Sequence, residues 1–295
     1  MLSIIICTYN RDKFLEMCLQ SIPTILAEKQ SFEVIVVDNN CTDRTAAICR
    51  VFCAQHPDVS FLRVEEAQQG LGFARNKGIA TARGELLSFI DDDAEVTPNF
   101  VAAIIEAFAC HPEYSSLGGR VLPVFEGGRM PEWFNKYLNG PVSKIDFGDK
   151  PRPFPKKYPV GCNMAFRRGV FEKYGGFNGQ LSRSDDKDMF LRLKQGEEKV
   201  WYAPEVTVYH NIPYDRMTFE AIMRIGFSNG KFETIRLAQD SNSQKIRKAV
   251  ELMFKFSASL FIGLGFCLCG QRQKCRYLIA YMYKMLLGYV RHIHL

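Results

Sequence analysis

The chain has 295 residues, of which 47% are hydrophobic and 24% are charged, proportions typical of a globular protein. This composition excludes a disordered chain, and the length allows an α/β domain with a sizeable core. Residues 240–295 hold nine Lys or Arg and two Asp or Glu, whereas residues 1–239 sum to a net charge of −1. Because the net positive charge comes from an apolar tail, it favours a membrane surface over a nucleic acid as partner.

The ten cysteines are scattered, and none of them forms a CxxC pair. The spacing therefore argues against a structural zinc site, and a chain of this length does not need a disulfide framework. We expect reduced thiols and a cytoplasmic active site. An apolar run begins at residue 2, which leaves no room for a signal peptide in this sequence.

Short apolar runs at 2–7, 33–37 and 86–90 alternate with stretches of helical periodicity. This alternation predicts βαβ units and a parallel sheet. Polar residues follow each run, and the carboxyl ends of parallel strands are where ligands bind in open α/β sheets. The three predicted strand ends therefore define one candidate site.

Three consecutive aspartates, Asp91, Asp92 and Asp93, follow the third of these runs. Adjacent carboxylates repel one another unless a positive charge lies beside them. Oxygen ligands at a strand end suit Mg²⁺ or Mn²⁺, which bind through one or two carboxylates together with substrate phosphates. The alternative for the triplet alone is a solvated acidic turn.

Five segments carry a resemblance to a known family, and they occur in the order SIIICTYNR, VIVVDNNCTDRT, GLGFARNKGIATARGELLSFIDDD, GCNMAFRR and SDDKDMFLRL. Together they resemble glycosyltransferase family 2 over about residues 1–215. The resemblance implies the GT-A fold, an α/β fold with a single Rossmann-like mixed sheet flanked by helices. Residues 216–295 would then form a C-terminal helical region.

The resemblance also implies a reaction, in which an inverting enzyme moves one sugar from a nucleoside-diphosphate sugar to an acceptor hydroxyl. The expected donor is a UDP-sugar, and the expected setting is polysaccharide or glycolipid biosynthesis with a glycan or lipid-linked acceptor. Asp38 would accept a hydrogen bond from the nucleotide base, with a strand-end cap as its alternative. The residues assigned to donor binding are Thr8, Tyr9, Asn10, Arg11, Asp38, Asn40, Arg75, Asp91 and Asp92.

The same resemblance assigns the divalent cation, Mn²⁺ or Mg²⁺, to Asp93 as its main ligand, with Asp91 and His210. Asp186 takes the place of the catalytic base, and Asp185 stands before it where the family usually has Glu. An acidic helix N-terminus is the alternative for this pair. On the acceptor side, the expected residues are Trp133, within the Pro- and aromatic-rich stretch 123–159, and Asn163. Ordinary packing under a long loop is the alternative for Trp133.

Other function classes are less consistent with these residues. A nucleotidyltransferase or a dinucleotide dehydrogenase needs a Gly-rich loop after the first strand, where this chain has Thr-Tyr-Asn-Arg. An inactive sugar-nucleotide-binding protein should have lost the aspartate triplet or the second acidic pair, and both are present. Processive synthases have Gln-x-x-Arg-Trp after the base, whereas residues 223–227 lack Trp.

The tail holds two apolar segments, at 250–269 and 276–292, and each has a narrow stripe of polar or small residues. Glu251 and Lys255 interrupt the first segment, so the pattern favours helices that lie in the membrane interface over helices that span it. We predict a peripheral enzyme on the inner face of the cell membrane. The alternative is a soluble helical pair that packs on the catalytic domain or across a homodimer.

Overall fold

The computed structural model describes residues 1–28, 31–155, 158–181 and 184–293. Two positions of the Pro- and aromatic-rich stretch, 156–157, and the last two residues of the tail lie outside the described residues. The chain forms two compact units. The first comprises Met1–Pro123 and Ser143–Asn211, and the second comprises Val124–Val142 and Ile212–Leu295.

The described part of the chain contains a nine-stranded mixed sheet with the order β3-β2-β1-β4-β8-β6-β9-β5, and β7 pairs with β9. Strands β1 to β4 are parallel to one another, whereas β4 pairs with β8, and β8 with β6, in antiparallel fashion. The predicted GT-A type mixed sheet is confirmed. The strands are β1 (Leu2–Thr8), β2 (Phe32–Asp38), β3 (Ser60–Glu65), β4 (Leu86–Asp91), β5 (Ala94–Val96), β6 (Ser116–Phe125), β7 (Arg152–Pro153), β8 (Met164–Arg167) and β9 (Val200–Ile212).

Strands β1, β2 and β4 are buried on both faces, which is why each of them is a continuous apolar run in the sequence. Ile4 and Ile6 belong to one core cluster, whereas Ile5, between them, belongs to the cluster on the other face. The edge strand β3 alternates between exposed and partly buried residues, so its apolar run is weak. The sequence analysis did not identify it for that reason.

Helices cover the sheet of the first unit, and a side-chain hydrogen bond stabilises the N-terminus of two of them. The Asp43 side chain accepts the backbone N–H of Thr45 at the start of α2 and that of Asp12 at the start of α1. One carboxylate therefore caps two helices. The helices are α1 (Asp12–Ser21), α2 (Thr45–Gln55), α3 (Leu71–Thr81), α4 (Phe100–Cys110), α5 (Gly169–Tyr174) and α6 (Asp185–Gln195).

The second unit is helical, with α7 (Tyr214–Met217), α8 (Phe219–Arg236), α9 (Asn242–Leu268) and α10 (Arg272–Val290). Ser241 and Gln244 form a capping box that starts α9. Helices α8 and α10 pack closely because glycines lie at their contact: a Cβ on Gly226 would be 2.9 Å from the Tyr281 carbonyl oxygen. The sequence predicted the two tail helices, although α9 begins eight residues earlier than the apolar pattern.

The division into units differs from the sequence prediction of domains at 1–215 and 216–295. The first unit ends at Asn211, and Val124–Val142 belongs to the helical unit. The reason is the apolar core of that unit, in which Phe125 and Trp133 pack with residues of α8 and α10. A boundary drawn from the extent of the motifs could not detect this long-range packing.

Candidate active site

The sheet register brings the predicted strand ends together. Thr8 at the end of β1 lies opposite Asp38 of β2, and Cys7 lies opposite Asp91 of β4. On the antiparallel side, Ala94 lies opposite His210 of β9. Because Ala94 directly follows Asp93, these pairings bring the loop after β1, the aspartate triplet and His210 together.

Arg11 neutralises two members of the triplet. Its guanidinium contacts Asp92 Oδ1 and Asp93 Oδ2, both at 2.8 Å. Thr8 Oγ1 donates to the other Asp92 oxygen at 2.9 Å. Asp92 and Asp93 are 3% and 2% exposed, so the triplet is not the solvated acidic turn considered as the alternative. Burial raises the pKa of the Asp92 carboxyl to about 7; Arg11 opposes this rise and Asp93 adds to it.

His210 lies on the other side of Asp93, with Nε2 3.3 Å from Asp93 Oδ1. Both side chains are buried. Within the described ranges, no group of three or more His, Cys, Asp or Glu side chains forms a complete cation site. A carboxylate and an imidazole at this spacing nevertheless fit a divalent cation whose remaining ligands come from phosphates and water.

Arg75 on α3 joins the triplet to the second acidic pair. Its Nη1 donates to Asp185 Oδ2 at 2.5 Å, and its Nη2 donates to Asp91 Oδ1 at 3.3 Å. Burial alone would lower the pKa of Arg75, but the carboxylates of Asp185 and Asp91 raise it overall, so the side chain stays charged. The guanidinium lies against Gly161, where a Cβ would clash with it.

Asp186 is the carboxylate next to this ion pair. Its Oδ2 accepts the Gly161 N–H at 2.9 Å and its Oδ1 accepts the Lys187 N–H at 2.6 Å. Burial, followed by the charge of Asp185, raises the pKa of the Asp186 carboxyl to about 6, while Arg75 opposes the rise. Such a group is ionised at neutral pH and still basic enough to accept a proton.

Asp38 is held by neighbours on two elements. Its Oδ1 accepts the Cys41 N–H at 2.8 Å, and Arg63 of β3 donates to its Oδ2 from Nε and Nη2 at 3.0 and 2.6 Å. Burial raises the pKa of Asp38, but these hydrogen bonds and the Arg63 charge lower it overall, so the group is a carboxylate. Arg63 was not found from the sequence because β3 was not recognised.

The remaining donor-site residues shape the loops beside Asp38. Asn10 and Asn40 both have positive φ, at 50° and 65°. Asn10 Oδ1 accepts the Thr42 N–H at 2.7 Å, and Asn40 Nδ2 donates to the Ala67 carbonyl at 2.6 Å. Tyr9 is 50% exposed at the tip of the first loop. The two asparagines therefore stabilise strained turns, and Tyr9 has a ring that solvent can reach.

The two predicted acceptor residues have structural contacts. Trp133 is 5% exposed in the second unit, where its ring stacks on Tyr277 with centroids 5.2 Å apart and its Nε1 donates to the Met217 carbonyl. Asn163 Nδ2 donates to the carbonyls of Arg120 and Val206 at 2.9 and 2.8 Å. These contacts favour the packing alternative for Trp133. For Asn163 they show a side chain that ties β6 and β9 to the start of β8.

Comparisons with known proteins agree with this geometry. Residues 3–175 match the family described as Glycosyl transferase family 2. The glucosyl-dolichyl phosphate glucuronosyltransferase of Haloferax volcanii is 27% identical over 77% of this chain and 74% of its own. A putative glycosyltransferase of Bacillus subtilis, EpsH, is 31% identical over 88% of this chain and 75% of its own.

The fold has a close counterpart among solved structures. The mannosyltransferase PcManGT from Pyrobaculum calidifontis, in complex with GDP-Man and Mn²⁺, aligns with a TM-score of 0.65 over 97% of this chain and 86% of its own. Its sequence identity is 20%, so the likeness concerns the fold. The family match covers more than half of the chain, and the chain is a glycosyltransferase that belongs to family 2, with the GT-A fold.

Proposed function

We propose that this enzyme transfers one sugar from a nucleoside-diphosphate sugar to an acceptor hydroxyl with inversion at the anomeric carbon. The observation that carries the proposal is the Asp186 carboxylate, whose pKa is raised to about 6. It lies beside a buried Arg75 that also contacts the aspartate triplet. A base and a cationic site for the leaving group are the parts that a single displacement needs.

The donor would bind along the ends of β1, β2 and β4. Asp38 still has lone pairs that can accept an N–H of the base, and Arg63 holds the carboxylate in place for it. Uracil, with its N3–H, fits this acceptor, so a UDP-sugar is the proposed donor. Arg11 and Arg75 would face the diphosphate, and Asp92 would face the ribose.

A divalent cation is the proposed cofactor, and the donor set fits it. Asp93 and His210 would hold Mn²⁺ or Mg²⁺, and Asp91 would complete the protein ligands. Such an ion would neutralise charge on the departing diphosphate. Arg11 now balances Asp92 and Asp93, so we propose that it releases Asp93 to the ion and turns to the donor phosphates.

Asp186 would take the proton of the acceptor hydroxyl as that oxygen attacks the anomeric carbon. The carbon–oxygen bond to the diphosphate breaks as the new glycosidic bond forms, so the configuration inverts. The Gly161 N–H fixes the orientation of the carboxylate. Arg75, held by Asp185, stabilises the negative charge that develops on the leaving group. Asp185 is therefore a positioning residue in this proposal.

The C-terminal unit is proposed to dock peripherally on the cytoplasmic face of a membrane. Among the described residues, α9 alone is long and apolar enough to span a bilayer, and 17% of its most apolar window is buried. Phe254 and Phe261 are 73% and 77% exposed, whereas Ser259 is 2% exposed on the covered side. This open apolar face, with the basic turn at 272–276, suits the interface of an anionic bilayer.

A lipid-linked acceptor would suit an enzyme docked in this way. The Haloferax volcanii relative is by its name a transferase that acts on glucosyl-dolichyl phosphate, a lipid-linked sugar. A glycolipid or polysaccharide precursor anchored in the membrane is accordingly the proposed acceptor class.

The test is hydrolysis and transfer with a panel of UDP- and GDP-sugars, in Mn²⁺ and in EDTA. We expect UDP release that needs the cation and falls by about 10²–10⁴-fold in Asp186→Asn. If this variant still binds the donor, its low activity results from loss of the base and not from unfolding. Donor binding without any turnover by the wild-type protein, across the panel and with lipid extracts as acceptor, would favour the inactive binding protein instead.

A further inference from the structure

The carboxylate proposed to recognise the nucleotide base, Asp38, already binds neighbouring groups of the protein. Its Oδ2 accepts two N–H groups of Arg63, from Nε at 3.0 Å and from Nη2 at 2.6 Å. Its Oδ1 accepts the Cys41 N–H at 2.8 Å. The Cys41 thiol also lies near Asp38, but it donates its one proton to the Thr8 carbonyl at 3.5 Å. The carboxylate therefore has several of its lone pairs in use before a ligand binds.

The sheet register explains why Arg63 reaches this carboxylate. In the pairing of β2 with β3, Arg63 lies opposite Val36 and Glu65 lies opposite Asp38. Side chains two residues apart share a face of a sheet, so Arg63 and Asp38 are diagonal neighbours on one face. Glu65 accepts a further N–H of Arg63 at 2.8 Å. Strand pairing, rather than a loop, thus holds the guanidinium against Asp38 Oδ2.

The number of free lone pairs on Asp38 follows from these contacts. An ionised carboxylate has about four lone-pair sites, two on each oxygen. Arg63 fills both sites of Oδ2, and Cys41 fills one site of Oδ1. Asp38 is 3% exposed, so little water competes for these sites. One site, on Oδ1, remains for a ligand.

Nucleotide bases differ in the number of N–H groups that they present to one carboxylate. Uracil has a single ring N–H, at N3, with a carbonyl on each side. Guanine has two adjacent donors, N1–H and the N2 amino group, which pair with a carboxylate when both of its oxygens are free. A carboxylate with one free site satisfies uracil and leaves one guanine donor unpaired. A buried donor without a partner weakens binding.

We propose that Arg63 sets the base specificity of this enzyme, because it leaves Asp38 one lone pair that fits uracil and not the paired donors of guanine. The inference rests on the proposed donor site and names the residue that selects among nucleoside diphosphates there. Arg63 also covers Oδ2 with positive charge, whereas a bare oxygen would repel the carbonyl beside N3–H. Arg63 is a specificity-determining residue that acts through Asp38, and this role needs no contact with the base.

The experiment measures binding of UDP and of GDP to the full-length protein by calorimetry, with Mn²⁺ present and without a sugar acceptor. We expect wild-type protein to bind UDP about 10–100-fold more tightly than GDP, the effect of one unpaired donor. Arg63→Leu frees both sites of Oδ2, so the preference should fall to about threefold or less.

A second variant separates the hydrogen bonds of Arg63 from its charge. Arg63→Lys keeps the positive charge, but an ammonium lacks the planar fork that directs two N–H groups at Oδ2. The preference for UDP should therefore fall in this variant too. A role of Arg63 in charge balance or folding alone predicts that Lys restores the preference. Arg63→Lys also carries the test if Arg63→Leu does not fold.

The matched controls leave the contacts of Asp38 in place. Arg50→Leu removes one positive charge from an exposed position of α2, and Glu65→Gln changes the other partner of Arg63. Both variants should keep the wild-type preference for UDP. Circular dichroism and thermal unfolding establish that each variant is folded.

Failure of this inference differs from failure of the donor site. If wild-type protein prefers UDP and both Arg63 variants keep that preference, the role of Arg63 is wrong and the proposed UDP-sugar donor stands. If wild-type protein binds the two nucleotides equally or prefers GDP, base selection by Arg63 is wrong and a nucleoside-diphosphate site stands. If it binds neither nucleotide, the donor site is wrong, and the role of Arg63 is wrong with it. Because no transfer is measured, none of these outcomes depends on Asp186.

Discussion

Replacing Asp186 by Asn should slow sugar transfer by about 10²–10⁴-fold and at the same time stabilise the folded protein at neutral pH. The pKa of the Asp186 carboxyl rises from 3.8 to about 6 on folding, mainly through burial. A rise of about two pKa units corresponds to about 3 kcal/mol, since one unit is about 1.4 kcal/mol. Asn keeps one oxygen for the Gly161 N–H and loses the acceptor for the Lys187 N–H, which costs about 1 kcal/mol. We expect a net gain of about 2 kcal/mol.

The sign of the pH dependence follows from linkage. Because the folded-state pKa is above the unfolded value, the folded wild-type protein binds more protons between about pH 4 and pH 6. Its stability therefore falls as the pH rises through that window, and Asn removes this loss. The advantage of Asp186→Asn should be complete above about pH 6 and absent below about pH 4. The same titration predicts that wild-type transfer at pH 5 proceeds at about a tenth of its plateau rate.

The neighbouring residue supplies a control of opposite sign. Asp185→Asn replaces the carboxylate 2.5 Å from Arg75 by a neutral amide, so the guanidinium, whose side chain is 3% exposed, keeps only the longer ion pair with Asp91. A buried charge that loses its partner is costly, so this variant should be destabilised by about 3 kcal/mol.

Urea unfolding at pH 7 and at pH 4, together with a transfer assay at pH 7, measures all of these effects. The reasoning is refuted if Asp186→Asn is less stable than wild type at pH 7, or if its gain is the same at both pH values. If Asp186→Asn transfers sugar at a near-normal rate and Asp185→Asn transfers it very slowly, the catalytic base is Asp185 instead.

Three further expectations follow from the contacts. Asp93→Ala should lower transfer by at least about 10²-fold and remove any response to Mn²⁺ in calorimetry, and full activity in EDTA would contradict the cation role. Trp133→Ala should lower the free energy of unfolding by about 3–5 kcal/mol, because the ring is buried against Tyr277. Donor hydrolysis below the melting temperature should stay normal. A raised acceptor KM at unchanged stability would instead support a role of Trp133 in acceptor binding. Phe254→Ser and Phe261→Ser should each weaken vesicle binding by about 2 kcal/mol without loss of stability, since both rings are exposed, and unchanged binding would argue against docking through α9.

Three of the four parallel strands, β1, β2 and β4, and the edge at which the site lies could be predicted from the amino-acid sequence alone. A strand that is buried on both faces can be recognised from its continuous apolar run. The polar residues that follow such a run must then lie at the carboxyl end of the strand. Thr8, Asp38 and Asp91 were placed in this way, and the register of β1, β2 and β4 puts them side by side. The family and the GT-A fold followed from motifs in order, and both are confirmed.

The pairing of the charges in the site could be read only from the folded structure. Arg11 meets Asp92 across 81 positions of the chain, and Arg75 meets Asp185 across 110. Such contacts produce no periodic pattern in the sequence, because they depend on which strands become neighbours in the sheet. For the same reason, the sequence analysis left a solvated acidic turn open as the alternative for the aspartate triplet, since the partner that allows a charge to be buried comes from a distant part of the chain.

The position of the stretch after β6 also depends on tertiary packing. Its proline and aromatic content is compatible with either an acceptor loop or packing, and nothing in the local pattern separates the two. In the fold, Val124–Val142 joins the helical unit because Trp133 finds a stacking partner, Tyr277, far along the chain. A flat aromatic ring is stabilised by burial wherever a complementary face exists, and the position of that face is set by the packing of α8 and α10 rather than by the residues around the ring.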